Sequence, residues 1–384
     1  MTRVAIAPYM LRWARERAGL ETDSLIHAFA KLPEWERGER QPTLKQVEKF
    51  ARAVRVPIGY LFLAEPPVEN IPIPDFRTVA GREMGRPSPD LLDTIYACQE
   101  RQAWFRDFAR VSALDPLLFV GSATLNSDIE TVAADMRDRL GFDVQERAAA
   151  RTWEEALRQF IQQADDAGVM VMVSGIVLSN TSRKLDVEEF RGFALSDPLA
   201  PLVFINGADT KAAQMFTLAH ELAHLWLGAT ALSNQSARPS RGSRSEETWC
   251  NAVAAEFLAP AAAVRAALQP GEALDETKSR LARTFKVSTL VVLRRLKDVG
   301  HIDDAAFQAA WRLESTMLQE RARQISGGGD FYRATVSRVS RRFTKAVVSS
   351  ALEGQTLYRD AFRMLGVRRT ETFNTLGRTV GVME

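Results

Sequence analysis

The chain has 384 residues, of which 46% are hydrophobic and 26% are charged, and its formal net charge is +2. This length favours two or three domains, and the apolar content is sufficient for a core in each. The small net charge excludes a protein that is basic overall, so nucleic-acid binding would have to depend on local patches. Cys98 and Cys250 are the only two cysteines, which excludes a disulfide framework and favours a reducing compartment. Without a signal-peptide pattern or a membrane-length apolar run, we expect a cytoplasmic protein that does not contact a membrane.

The first 65 residues predict several short amphipathic helices. We expect these helices over residues 9–18, 23–30 and 44–54, with a closing turn or helix at 57–63. The segments Leu11-Arg12-x4-Arg17-x-Gly19-Leu20, Trp35-Glu36-x-Gly38-x3-Pro42-Thr43, Phe50-Ala51 and Val56-Pro57 resemble the Cro/C1 (XRE-type) helix-turn-helix family. The resemblance implies a five-helix, helix-turn-helix-like domain over residues 1–65.

This N-terminal module departs from the family where the DNA-reading helix belongs. Ten residues separate Leu25 from Trp35, whereas the family has about fourteen, so roughly one helical turn is missing. Pro33 further restricts the helix that can form there. Both DNA binding and a docking or dimerisation role therefore stay open for this module, and a homodimer is compatible with it.

Residues 66–88 form a proline-rich linker, which we expect to be extended. Beyond it, the apolar pattern predicts helices at 89–111, 129–140 and 153–167 and strands at 169–178, 190–195 and 202–206. The sequence leaves open whether the linker from Pro66 to Pro74 lies across a cleft of the following domain. Together these elements predict an α+β, mainly helical chain.

The segment Thr217-Leu-Ala-His220-Glu221-Leu-Ala-His224-Leu-Trp-Leu227 follows the pattern of a zinc-peptidase helix. His220 and His224 lie on one helical face, from which both can bind one Zn2+, and Glu221 can act as general base on a water molecule beside the metal. The alternative is a core helix with two satisfied histidines, but such a helix would have to desolvate or pair two histidines and a carboxylate. We expect Asp209 to cap this helix at its start and Gly228 to end it.

A third zinc ligand is needed, and the residues alone offer Glu246, Glu247, Glu256, Cys250 and His301. The block Glu247-x3-Asn251-x2-Ala254-x3-Leu258-x-Pro260, together with the upstream histidine helix, resembles the ImmA/IrrE family of zinc metallopeptidases. The resemblance implies Zn2+ as cofactor, Glu247 as the third ligand and a zincin-like domain with a small sheet, here over residues 89–325. Asn251 shares a helical face with Glu247, so its amide could hold the carboxylate or a nearby backbone group.

Three later segments complete the predicted organisation. Ala229 to Ser245 is polar and predicts a loop, and residues 277–300 resemble a helix-turn-helix-like unit that packs against the peptidase core or contacts DNA. Residues 326–384 predict a basic helical extension, with ten Lys or Arg against four acids from Phe331 onward. Four of its cations could form a basic stripe for nucleic acid or an acidic partner, or simply a solvated helix face: Arg338, Arg341, Arg342 and Lys345.

The predicted function is that of a zinc-dependent endopeptidase, with Glu221 as the catalytic residue. The family resemblance implies a regulatory substrate, such as a co-encoded repressor- or antitoxin-like protein, in stress, phage or toxin–antitoxin control. The alternative is an antitoxin-like or transcriptional regulatory protein that binds DNA or a partner and whose zinc site is sensory or structural. Metal binding alone does not distinguish the two.

Overall fold

The computed structural model describes residues 3–74, 78–79, 82–83, 87–233, 245–322 and 331–383, with the backbone alone for residues 78–79, 82–83, 233, 318–322 and 331–334. The chain divides into unit 1, which contains Met1–Pro72 and Gly85–Ile95, and unit 2, which contains Ile73–Met84 and Tyr96–Glu384. Helices predominate and a small mixed sheet accompanies them, so the predicted α+β class is confirmed. Within the described ranges, no helix is both long and apolar enough to cross a membrane.

The helices are α1 (Pro8–Arg17), α2 (Thr22–Ile26), α3 (Leu32–Glu36), α4 (Leu44–Ala53), a 3-10 helix (Ile58–Phe62), α5 (Pro89–Val111), α6 (Ile129–Leu140), α7 (Val144–Ala149), α8 (Trp153–Asp166), α9 (Lys211–Leu227), α10 (Ser245–Leu258), α11 (Ala261–Ala266), α12 (Leu274–Phe285), α13 (Thr289–Asp298), α14 (Asp304–Ala322), α15 (Phe331–Val339), α16 (Arg341–Leu352), α17 (Tyr358–Leu365) and α18 (Thr370–Thr379). The strands are β1 (Thr78–Val79), β2 (Arg82–Glu83), β3 (Met170–Ser174), β4 (Gly192–Leu195), β5 (Leu202–Asn206) and β6 (Ala231–Ser233).

Unit 1 contains short helices around one apolar core. Its most buried side chains include Met10, Leu32, Trp35 and Phe50. Helix α4 begins at a capping box, in which Thr43 accepts from the Gln46 amide and the Gln46 side chain accepts from the Thr43 amide. These contacts explain why five helical segments, most of them too short to be stable alone, hold together.

Helix α3 occupies the place of the shortened segment and has only five residues. Pro33 lies in its first turn, where a missing N–H costs little, so the proline starts this helix instead of preventing it. The charged side chains around α3 pair with one another: Lys31 and Arg40 with Glu34, and Arg37 with Glu39. The surface that α3 presents therefore combines both signs of charge. DNA binding by this module stays a prediction.

The sheet of unit 2 has the strand order β3-β5-β4-β6. Strand β3 pairs with β5 in parallel, while β4 pairs antiparallel with both β5 and β6. The prediction of a loop from Ala229 to Ser245 is wrong for β6, and residues 234–244 lie outside the described residues. The strand predicted at 169–178 is shorter and ends at Ser174. The next residue, Gly175, lies close to the chain that follows β5, since an added methyl carbon there would lie 3.0 Å from the Ala208 nitrogen.

One apolar core connects the sheet with α6, α8, α9, α10, α12 and α13. The helix-turn-helix-like unit contributes Leu281, Phe285, Val291 and Leu296 to this core, so it packs against the histidine-bearing part of the chain. The tight turn between its helices begins at Lys286, which adopts a left-handed conformation with φ of 49°. This packing is the first of the two alternatives that the sequence left open.

The C-terminal helices α15 and α16 meet at Ser340, whose φ of 70° interrupts the helical path. The Ser340 hydroxyl accepts from the Phe343 amide and donates to Oδ1 of Asp165 at 2.9 Å. Both Ser340 and Asp165 are buried. The junction is therefore anchored to the end of α8.

Because of this interruption, the four cations of the predicted basic stripe, Arg338, Arg341, Arg342 and Lys345, are divided between two helices. Arg338 lies on α15 and donates to the Ser179 hydroxyl at 3.2 Å. Arg342 is half-buried and its guanidinium lies 5.4 Å from the centre of the Phe105 ring. Only Arg341 and Lys345 are exposed. The helical spacing on which the stripe prediction depended is therefore broken at Ser340, and binding of nucleic acid or an acidic partner by these residues stays a prediction.

Asp165 generates a prediction about stability and pH. Burial raises the pKa of Asp165 from 3.8 to about 7, although Ser340 and the backbone amides of Val171 and Arg342 donate hydrogen bonds to it. Between these two pKa values the folded protein retains a proton that the unfolded chain has lost. Stability should therefore fall as the pH rises from about 4 to about 7, with a slope of at most about 1.4 kcal/mol per pH unit from this group.

The Asp165→Asn variant should lose this part of the pH dependence. Urea unfolding of wild type and variant at about pH 5 and about pH 8 measures it, because the variant should gain stability relative to wild type at the higher pH. Asp166→Asn is the matched control, since Asp166 is the exposed neighbour on the same helix. Parallel pH profiles for wild type and Asp165→Asn would contradict the assignment.

Candidate metal centre

Helix α9 carries the histidine motif and has well-defined ends. Its N-cap is Thr210, whose hydroxyl accepts from the Ala213 amide at 3.3 Å, so the prediction of Asp209 as the cap is wrong. Asp209 instead forms an ion pair with Arg191 at 3.2 Å. At the other end Gly228 has a left-handed conformation, with φ of 70°, and ends the helix as predicted.

Helices α9 and α10 bring the side chains of three residues, His220, His224 and Glu247, together in the interior. Nε2 of His220 and Nε2 of His224 are 3.0 Å apart. Oε1 of Glu247 lies 3.0 Å from Nε2 of His224, and Oε2 lies 3.4 Å from Nε2 of His220. Both histidines are completely buried and Glu247 is 9% exposed. These three residues form a group whose geometry could hold a metal ion.

The protonation states of the cluster suit a metal. Burial raises the pKa of Glu247, but His220 and His224 outweigh this effect and hold the pKa below its usual value. Burial lowers the pKa of His224, which favours its neutral form. The cluster therefore combines a charged carboxylate with a neutral imidazole, the states in which both residues coordinate metals.

Asn251 fixes the orientation of the remaining histidine. Its amide oxygen lies 3.1 Å from Nδ1 of His220. Because an amide oxygen can only accept, this contact favours the tautomer that carries the proton on Nδ1 and the lone pair on Nε2. The sequence suggested that Asn251 would hold the carboxylate or a backbone group, whereas the contact that it makes is with the ring of His220. Such a partner orients a metal-binding histidine and raises its basicity.

The ligand set agrees with a zinc site. Two imidazole nitrogens and one carboxylate oxygen are typical protein ligands of catalytic zinc, which keeps a further position open. Tetrahedral bonds of about 2.0–2.1 Å place ligand atoms about 3.3 Å apart. The separations of 3.0–3.4 Å in the cluster are close to this value.

Glu221 lies beside this cluster, fully buried, and β4 approaches it closely. A methyl carbon added at Gly192 would lie 3.1 Å from Oε1 of Glu221 and 2.6 Å from the methyl group of Thr217. Only glycine therefore fits between β4 and this turn of α9. Sequence reasoning did not single out Gly192, although a glycine within a predicted strand is a recognised signal of close backbone approach.

The other ligand candidates lie outside the described cluster. Glu256 is buried in an ion pair with Arg295, and His301 is exposed. Burial raises the pKa of the Cys250 thiol well above its usual value, so this cysteine stays protonated within the core. Glu246 is half-buried and adjacent to Glu247 in sequence, which makes it a suitable control position.

Glu247→Gln should weaken zinc binding by more than about 100-fold, because the change removes a charged ligand from a buried site. Glu246→Gln, one residue away, should bind zinc as wild type does. Competition with a chromophoric chelator measures both affinities. Equal loss in the two variants would contradict the assignment of Glu247.

Asn251→Ala should weaken zinc binding by about 10- to 100-fold, because His220 loses the group that fixes its ring and its tautomer. Asn126→Ala is the control, since Asn126 is exposed. The same chelator competition measures both variants, and circular dichroism verifies that each is folded. Wild-type affinity in a folded Asn251→Ala variant would remove Asn251 from the site.

Two parts of the chain match family models. Residues 164–297 match the IrrE N-terminal-like domain (Peptidase_M78), and residues 339–379 match a domain of unknown function (DUF8813). Comparison with curated proteins and with solved structures gave no match. The first match contains both α9 and α10, and with them the whole histidine and glutamate cluster. It supports a metallopeptidase domain of the ImmA/IrrE type in this part of the chain.

Proposed function

We propose that this chain is a zinc-dependent endopeptidase that cleaves a protein substrate. His220, His224 and Glu247 are the proposed zinc ligands, and Glu221 is the proposed catalytic base. The observation that carries the proposal is the convergence of two imidazole nitrogens and a carboxylate within 3.0–3.4 Å, beside a second buried glutamate. The match of this region to a peptidase domain model supports the same conclusion.

The proposed mechanism divides the chemistry between metal and protein. Zinc, when bound, supplies Lewis-acid polarisation of the scissile carbonyl and activation of water. The carboxylate of Glu221 accepts a proton from the attacking water and delivers it to the leaving amine, so that a C–O bond forms as the C–N bond breaks. The backbone of Gly192 limits the position of the Glu221 side chain. Asn251 holds His220 in the tautomer that can bind zinc through Nε2.

We further propose that the substrate is a regulatory protein, such as a repressor- or antitoxin-like partner encoded beside this chain. Two features support this choice. The N-terminal segment resembles the modules of phage-type regulators, and residues 164–297 match the model of an IrrE-type peptidase domain. The helices outside residues 164–297 could recognise one partner protein, and this is the second feature that supports a protein substrate.

Glu221→Gln should abolish cleavage, by at least about 100-fold, because the amide cannot accept the water proton. Zinc content should stay at the wild-type level, since Glu221 is not a proposed ligand. The experiment co-expresses the protein encoded next to this chain with wild type or with the variant, and mass spectrometry of that protein detects shortening. Glu246→Gln is the control and should retain cleavage.

The outcome distinguishes the two predicted functions. Shortening with wild type but not with Glu221→Gln is the result that the peptidase proposal requires. An intact neighbour protein that forms a stable complex with zinc-loaded wild type would favour the antitoxin-like binding role instead. Shortening that persists in Glu221→Gln would contradict the assigned base.

A further inference from the structure

The outer edge of β6 is the feature that the proposed function leaves unused. Strand β6 is the last in the sheet order, and it pairs with β4 through the register Phe193 opposite Leu232. The amide of Leu232 donates to the carbonyl oxygen of Pro74 at 3.0 Å. The edge strand is therefore hydrogen-bonded, in the described structure, to the end of the proline-rich linker, which belongs to unit 2 from Ile73 onward.

This edge lies next to the catalytic centre. Ser233 of β6 is opposite Gly192 of β4, and an added methyl carbon at Gly192 would lie 3.1 Å from Oε1 of Glu221. One residue along the strand from Ser233 is Leu232, the residue that Pro74 engages. A polypeptide that extended along β6 would thus pass within a few residues of the proposed base.

Within the described residues, the backbone contact between this linker and β6 is the hydrogen bond from Leu232 to Pro74. Pro72 and Pro74 have no backbone N–H, so at these positions the segment can accept hydrogen bonds but cannot donate them. Ile73 provides the apolar anchor and is 7% exposed. By contrast Val68, earlier in the same linker, is 86% exposed. The segment from Pro72 to Pro74 can therefore cover the edge of β6, but its prolines prevent it from forming a complete β-ladder there.

We propose that Ile73–Pro74 is a displaceable strap, which occupies the outer edge of β6 and must leave before an extended segment of the protein substrate can pair there. Pairing to a free sheet edge is a general way to bind an extended chain, with backbone hydrogen bonds supplying the affinity. A substrate strand that has its backbone N–H groups can form a ladder that the two prolines cannot. The proposal rests on the proposed endopeptidase function, since it assigns a regulator to that site.

The strap and a substrate strand compete for the same edge of β6, and the strap is part of the same molecule as that edge. A tethered segment acts at an effective concentration on the order of millimolar, so weak contacts suffice to keep it in place. Its removal exposes one backbone hydrogen-bonding group and the surface under Ile73. We therefore expect release to raise the affinity for an extended chain by roughly two- to tenfold, the contribution of about one hydrogen bond.

The test compares Ile73→Ser with Val68→Ser, a matched substitution at the exposed linker position. Both are made in the full chain with Glu221→Gln, so that binding is measured without turnover. The first readout is hydrogen exchange of the Leu232 amide, which should be faster in Ile73→Ser and unchanged in Val68→Ser. The second is the affinity for reduced, alkylated α-lactalbumin as an unfolded probe, which should rise in Ile73→Ser alone. Ile73→Ala serves as a milder variant should the serine destabilise the fold.

The outcomes separate this inference from the proposed function. Unchanged Leu232 exchange and unchanged probe affinity in folded Ile73→Ser and Ile73→Ala would overturn the strap, even if zinc-dependent cleavage is found. Faster exchange with higher affinity, in a chain that never cleaves protein with Glu221 intact, would keep the strap as a gate to a binding edge and overturn the peptidase proposal. Both effects, together with faster cleavage when Ile73→Ser but not Val68→Ser is made in a chain that keeps Glu221, support both proposals.

Discussion

A carboxylate buried between two imidazoles is the constraint on which the rest of unit 2 depends. Glu247 keeps a charge in the core because His220 and His224 compensate for its loss of water. Three electron-pair donors this close repel one another, and a shared cation would offset that repulsion. Helices α9 and α10 must therefore be held rigidly enough to keep these atoms together.

Contacts at the ends of both helices provide this rigidity. The last carbonyls of an α-helix lack partners within the helix, and here other segments supply them. The amides of Gly121 and Ala123 donate to the final carbonyls of α9 at 3.0 and 2.9 Å. Three arginines donate to carbonyls at the end of α10 and just beyond it: Arg137, Arg147 and Arg295. The C-terminal ends of α9 and α10 are thus fixed by other segments. Gly192 allows β4 to approach Glu221 closely.

The sequence predicted the helices and strands around the cluster well because apolar periodicity dominates there. Helices at 89–111 and 129–140 and the strand at 202–206 agree with the structure, and so does the end of α9 at Gly228. Contacts between distant segments were not predictable. Thr210 caps α9 while Asp209 pairs with Arg191, and the helical spacing of the C-terminal cations is interrupted where Ser340 contacts Asp165. Likewise, no local pattern indicated that Asn251 contacts His220 or that Pro74 contacts β6.

X-ray absorption at the zinc edge of the purified chain measures directly whether zinc binds between His220, His224 and Glu247. We expect one zinc per chain with only nitrogen and oxygen neighbours at about 2.0–2.1 Å, including the scattering pattern of two imidazoles. Glu247→Gln should remove or change this signal. A sulfur neighbour at about 2.3 Å, as Cys250 would give, or a folded chain that binds no zinc, would contradict the proposed ligand set.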